Sequence, residues 1–266
     1  MNKYIDANRK IWDDRVAIHS KSDFYDLKSF KEGKSSLNFI ELNELGDIKG
    51  KSVLHLQCHF GMDTLSLARL GASVTGVDFS SEAINLAAQL NNELNLNAEF
   101  ICSDVYNLGD HLQKKFDIVF TSYGVIGWLP DLEKWAELIS YYLNPDGTFL
   151  IVEFHPVLWM LDDNFEQLKY SYFNNEIIET EVKGTYADRD ADISGIEYGW
   201  NHSLSEIISS LLKNGLEVIS FNEFPFSVYN CFAKMIQGED GFWRFKNLEN
   251  KLPLMFSLKC RKNNQV

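Results

Sequence analysis

The sequence predicts an α/β fold in which a doubly wound, mostly parallel sheet is covered by helices on both faces. Short runs that are apolar on both faces recur through the middle of the chain, stretches of helical periodicity separate them, and turn-forming residues punctuate each change. At 266 residues the chain can bury roughly 70–75% of its unfolded surface. That suits one domain, 1–266, divided into an N-terminal lid segment (1–34), a core (35–155), an inserted cap (156–200) and a C-terminal helix with strands (201–266).

Apolar residues Tyr4, Ile5, Ile11, Trp12 and Val16 recur at helical spacing and predict an amphipathic N-terminal helix. A mixed stretch follows from His19 to Gly33, then a second helix from about Ser35 to Leu45. Strands are expected at 52–56, at 72–77 ending on Asp78, and at 98–101, 116–121 and 148–152. Helices fill the gaps at 61–70 and at 81–94, where Ser80 is the N-cap and Glu82 sits in the first turn. The last gap holds a helix opened by Pro130-Asp131 and closed before the turn Asn144-Pro145-Asp146-Gly147. From Pro156 to about Trp200 acidic and aromatic residues dominate, with an alternating run from Ile177 to Val182; this reads as a cap of short strands. Ser203-Leu204-Ser205-Glu206 is a capping box opening a helix to about Lys213, with Gly215 at its C-terminus. Strands are expected at 216–221 and 254–259. The aromatic stretch between them carries no assignable pattern.

Hydrophobic residues make up 45% and charged residues 24% of the chain, which sets aside disordered and fibrous classes. A net charge of −13 makes non-specific binding to a phosphate backbone costly, so no nucleic-acid partner is expected. Cys58, Cys102, Cys231 and Cys260 form no C-x-x-C pair, so neither a zinc knuckle nor a dithiol centre is expected. The first six residues, Met1 to Asp6, are polar, and no run approaches the ~20 apolar residues of a membrane span. The expected setting is cytoplasmic, with no membrane partner. The oligomeric state is left open between monomer and homodimer.

In an open parallel sheet, ligands bind beyond the carboxyl ends of the strands. The first such turn holds Val53-Leu54-His55-Leu56-Gln57-Cys58-His59-Phe60-Gly61, and the second strand ends in Val77-Asp78-Phe79-Ser80. This pair resembles motifs of the class I, Rossmann-like S-adenosylmethionine-dependent methyltransferases, in the small-molecule branch that carries a variant first motif. The usual acid-x-Gly-x-Gly-x-Gly positions hold His55, Gln57, His59 and Gly61. Gln57 and His59 would crowd a dinucleotide's pyrophosphate, whereas S-adenosylmethionine has no phosphate. His55 and His59 fall on a strand end and a loop, not on one helical face, so no metal site is expected.

The resemblance implies a seven-stranded sheet with an antiparallel C-terminal strand, and S-adenosyl-L-methionine as cofactor with S-adenosyl-L-homocysteine as product. It implies a cofactor site of Gln57, Cys58, His59, Gly61, Asp78, Phe79, Ser80, Asp104, Val105 and Ser122, with Trp12, His19 and Tyr25 either closing over it or only packing the N-terminal helix. Asp78 would accept the ribose hydroxyls, Asp104 the adenine amine, with a backbone N–H from Val105. Ser122 and Tyr123 would edge the methionine portion and the point of methyl transfer. His155 is a candidate general base, since an unperturbed imidazole titrates near neutrality. Its other reading is a residue that only bonds its neighbours. Trp128, Tyr198, Trp200 and His202 are either core or pocket residues.

The implied activity is transfer of a methyl group, by in-line displacement, to a small molecule the sequence does not identify. Positioning would supply most of the acceleration. Two other readings stay open: an NAD-dependent oxidoreductase on a similar sheet, and a non-catalytic S-adenosylmethionine-binding module.

Overall fold

The computed structural model describes residues 3–162 and 164–263; Met1 and Asn2 of the polar N-terminal run lie outside the described residues. The helical spacing from Tyr4 onward becomes α1 (Lys3–His19), which buries Ile11 and Val16 together with polar Asn8, Arg15 and His19. The mixed stretch contains a short helix, α2 (Leu27–Lys31), whose N-cap Asp26 accepts from the Ser29 N–H. Helix α3 (Phe39–Leu45) starts four residues later than its apolar pattern suggested, because Asn38 and Glu41 form a capping box there and fix the N-terminus.

Alternation then proceeds through β1 (Ser52–Leu56), α4 (Met62–Arg69), β2 (Ser73–Asp78), α5 (Ser81–Glu93), β3 (Glu99–Cys102), β4 (Phe116–Ser122), α6 (Leu132–Tyr142) and β5 (Leu143–Phe154). The turn expected at 144–147 does not separate helix from strand. Strand β5 starts at Leu143, opposite Phe116, and the pairing resumes at Ile118–Thr148, so the four residues form an irregularity inside the strand. Asp146 adopts φ 59° there, a left-handed conformation that Asp tolerates better than most side chains.

Beyond β5, a hairpin of β6 (Ile178–Lys183) and β7 (Ser194–Gly199) precedes α7 (Leu204–Lys213) and β8 (Leu216–Phe224). The unassigned aromatic stretch contains a second small hairpin, β9 (Met235–Gln237) with β10 (Trp243–Phe245), before β11 (Met255–Lys262) closes the fold. Each of these hairpin strands is only three residues long, too short for periodicity to register.

The main sheet has seven strands in the order β3-β2-β1-β4-β5-β11-β8. All run parallel except β11, which is antiparallel to both neighbours. Two apolar layers cover it. One, centred on Trp135, Phe149 and Leu211, lies under α6 and α7; the other includes Val53, Leu67, Phe120 and Leu150. The order in which strands are added reverses between the parallel neighbours β1 and β4, which leaves a crevice at their carboxyl ends.

Candidate active site

The carboxyl ends of β3, β2, β1 and β4 deliver, in that spatial order, Asp104, Asp78, the turn 57–61, and Ser122 with Tyr123. All of these border one cavity of about 700 Å³. The size suits a small-molecule or cofactor site.

The turn after β1 keeps the backbone of a glycine-rich loop without its glycines. Gln57, His59 and Gly61 have φ of 55°, 49° and 78°. For a side-chain-bearing residue this region costs roughly 1–2 kcal/mol, so the two substitutions store strain that neighbouring bonds offset. Gln57 Nε2 donates to the Val125 carbonyl at 2.9 Å. The His59 N–H donates to Asp78 Oδ2 at 2.8 Å, and the His59 ring meets His19, Nε2 to Nδ1, at 3.0 Å. At Gly61 a Cβ would fall 2.7 Å from the Phe100 ring, so a side chain there would have to displace that ring as well as adopt the left-handed backbone.

Asp78 is buried and also accepts the Ser80 N–H, at 2.9 Å. Burial pushes its carboxyl up to about 6, against the pull of the Ser80 and His59 N–H groups. Asp104 accepts the Tyr106 N–H at 3.0 Å and caps a turn of 3₁₀ helix over Val105–Asp110. At the β4 end, the Ser122 hydroxyl bonds Asp63 at 3.2 Å. Tyr123, at φ 42°, faces Glu41, Tyr229 and Asp63, and burial with these groups holds its phenol well above the usual range. Burial and the Asp63 charge raise Glu41 to about 7.

The N-terminal helix and the β6–β7 hairpin form the roof. Asn8 bonds both the N–H and the carbonyl of Tyr198, Arg15 pairs with Glu197 at 2.6 Å, and the Tyr25 and Tyr186 hydroxyls meet at 2.5 Å. Trp12 lies edge-on to His59 and Trp128. Burial holds His19 down near 3, with Arg15 adding to the effect, and His59 is pushed down for the same reasons and by His19. Both rings are therefore neutral at physiological pH.

Gln57, Cys58, His59, Gly61, Asp78, Phe79, Asp104, Val105, Ser122, Tyr123, Trp12 and Tyr25 all border the cavity. Three expected residues do not. His19 is fully buried, its Nδ1 against His59 Nε2. Ser80 is fully buried below it, capping α5 by accepting from Ala83 N–H and donating to Asp13 at 2.5 Å. His155 is also outside: its Nε2 meets Glu223 at 2.9 Å and its Nδ1 accepts the Val157 N–H at 3.3 Å, capping the 3₁₀ turn Pro156–Met160. Its ring is turned toward β11 and β8, and burial depresses its basicity against the opposing pull of Glu223. This corrects the expectation of a general base there. Its neighbour Glu153 instead cradles the loop after β4, accepting the N–H groups of Gly124, Val125 (2.7 Å) and Ile126 (3.2 Å). Trp128 borders the cavity and donates to the Gly124 carbonyl. Tyr198, Trp200 and His202 stay out of it, as packing and bonding residues.

Sequence reasoning missed Arg15, Asp63, Tyr186, Tyr229 and Phe232, which also line the cavity. Only Asp63 carried a signal: it follows the turn directly, at the second position of α4.

Several buried polar atoms around the cavity make no hydrogen bond among the described residues: Gln57 Oε1, His59 Nδ1, Trp12 Nε1 and Arg15 Nε. Unpaired buried groups are costly in a folded chain. A ligand with complementary polar groups would satisfy them.

The sheet order, the single antiparallel strand and the acid-terminated β2 define a Rossmann-like methyltransferase fold. Residues 53–147 match the family described as "Methyltransferase domain", so the likeness at the level of sequence lies in the segment that carries the first four strands of the sheet. A ubiquinone biosynthesis O-methyltransferase of Coxiella burnetii is 33% identical over 100 residues, 38% of this chain and 42% of the relative. Its counterpart in Idiomarina loihiensis is 30% identical over 111 residues, 42% of this chain and 45% of the relative. The chain thus spans less than half the length of these curated relatives. Among solved structures, a putative S-adenosylmethionine-dependent methyltransferase of Listeria monocytogenes superposes with a TM-score of 0.61 at 18% identity, covering 85% of this chain and 96% of that one. A DhpI-SAH complex gives 0.61 at 16% identity over 100% of both chains.

Proposed function

We propose that this protein transfers a methyl group from S-adenosylmethionine to a small-molecule acceptor. The observation that carries the reading is the run of strand ends in which Asp104, Asp78, the left-handed turn 57–61 and Ser122 follow one another along one cavity. Asp78 would hold the ribose hydroxyls and Asp104 the adenine amine, with Phe79 and Val105 flanking the ring. When bound, S-adenosylmethionine supplies an electrophilic methyl group on a sulfonium. The chain's own residues orient and enclose the reactants: Trp12, Tyr25 and Tyr186 roof the cavity and exclude water, while Glu153 fixes the loop bearing Tyr123.

The acceptor would occupy the aromatic end, lined by Tyr123, Phe154, Trp159, Tyr229 and Phe232. Burial raises the pKa of Tyr123, Tyr229 and Cys231 at that end, and that of Glu41 beside Tyr123. Tyr123 is the candidate to contact the reacting acceptor. A cytoplasmic setting belongs to the same reading, supported by the dispersed cysteines.

The side chains at positions 57 and 59 disfavour a dinucleotide. A thermal-shift comparison of S-adenosylhomocysteine with NADH tests the cofactor. Stabilisation by the first alone supports the reading; stabilisation by NADH alone replaces it with an oxidoreductase. Incubation with methyl-labelled S-adenosylmethionine and a metabolite extract then reads transfer, and binding without any labelled product would leave a cofactor-binding module.

A further inference from the structure

Five carboxylates border the cavity: Asp26, Asp63, Asp78, Asp104 and Glu197. Four are accounted for. Asp26 caps α2 and pairs with Lys34, Glu197 pairs with Arg15, Asp78 takes two backbone N–H groups, and Asp104 caps its own turn. Asp63 is different. It receives only two neutral hydroxyls, Ser36 at 2.6 Å and Ser122 at 3.2 Å, and forms no ion pair among the described residues. Burial pushes its carboxyl up, and these two hydroxyls pull it back only in part. A carboxylate in such surroundings is completed by a cation bearing N–H donors.

Its place in the row of strand ends says which cation. Asp104 follows β3 and Asp78 ends β2, whereas Asp63 is bonded to Ser122 at the end of β4, on the far side of the β1 turn. A nucleoside lying across Asp104 and Asp78 carries its 5′ substituent toward β1 and β4. The unpartnered Gln57 Oε1, whose amide nitrogen is held on the Val125 carbonyl of the loop after β4, adds a second acceptor on that side. His55, at the end of β1, adds no charge: its Nδ1 bonds Thr64 at 2.9 Å, and burial drops it to about 3.

Building on the cofactor reading above, we infer that Asp63 is the residue that receives the α-ammonium group of the cofactor's amino-acid end, with Ser36 and Ser122 holding its carboxylate in place. In this chain the negative charge for that group is supplied from the first turn of α4, not from β1.

The test compares three probes by calorimetry: S-adenosylhomocysteine, its analogue lacking only the amino group, and 5′-methylthioadenosine, which lacks the whole amino-acid end. The native chain should prefer S-adenosylhomocysteine to the deaminated analogue by about tenfold or more, as a charge-assisted hydrogen bond provides. Asp63→Asn should bring that ratio to within about twofold and leave 5′-methylthioadenosine binding unchanged. If Asp63→Asn does not fold, Asp63→Ser reads the same ratio. A ratio preserved in the variant, or an equal loss for all three probes, overturns the inference while the cofactor reading stands. A native chain that binds none of the three overturns both.

Discussion

Asp78 Oδ2 accepts the backbone N–H of His59 at 2.8 Å, so the carboxylate that ends β2 also holds the turn after β1 in its left-handed conformation. Support of a strained backbone is its observed role, and recognition of a ribose is the second role that the proposed function gives it. Asp78→Ala should weaken S-adenosylhomocysteine binding on the order of 10–100-fold, the loss of charge-assisted hydrogen bonds worth about 1.5–3 kcal/mol. Calorimetry on the folded variant reads this, and unchanged affinity would remove Asp78 from the site.

The same carboxyl makes binding depend on pH. Burial raises its folded value from 3.8 to about 6, so between those limits the unliganded folded chain holds more protons at this site than the unfolded chain. Its contribution to stability therefore falls as pH rises through that window. A ligand whose hydroxyls need the ionised form binds more tightly as pH rises through about 6 and displaces a proton. Calorimetry near pH 6 in buffers of different ionisation enthalpy should show proton release. Proton uptake would contradict the assignment.

Gly61 is constrained twice, by φ 78° and by the Phe100 ring 2.7 Å from where a Cβ would stand. Left-handed strain of roughly 1–2 kcal/mol and overpacking of roughly 1–3 kcal/mol should together make Gly61→Ala less stable by about 2–5 kcal/mol. Denaturant unfolding measures it; a loss below about 0.5 kcal/mol would mean that the turn relaxes freely.

Arg15 and Glu197 join the N-terminal helix to the β6–β7 hairpin across the roof. The guanidinium side chain is 6% exposed and its partner 21%, so removal of the carboxylate strands a nearly buried charge. With part of that cost screened by solvent at Glu197, Glu197→Gln should lose about 1–3 kcal/mol. Proteolysis within residues 178–199 should become faster, and S-adenosylhomocysteine should slow it again. Equal cleavage rates in the native and variant chains would show that the pair does not hold the roof.

His155 caps a turn outside the cavity and bonds Glu223. His155→Ala is therefore expected to leave turnover and cofactor affinity within about twofold while lowering stability by about 1–2 kcal/mol. A large fall in turnover with affinity and stability retained would restore the base that the sequence suggested.

The parallel core was legible because each strand and helix there is long enough to show its period, and the acids at 78 and 104 follow strand ends that the pattern itself located. His155 was misplaced by the same logic. It also follows a strand end, but Pro156 and the bond to Glu223 turn its ring toward β11, and a residue 68 positions away leaves no mark in local sequence. Tyr229 and Phe232 lie in a stretch without regular periodicity, so nothing signalled that their rings reach the cavity.

By itself, then, the sequence determined the alternation of elements, the class of sheet and the turn that borders the cavity, because these follow from local periodicity and from the chemistry of single positions. Which carboxylates are left without a charged partner, which imidazoles stay neutral and which rings close the roof were decided by tertiary structure alone. Those properties depend on burial and on contacts between residues far apart in the chain, such as Arg15 with Glu197 and Asp63 with Ser122.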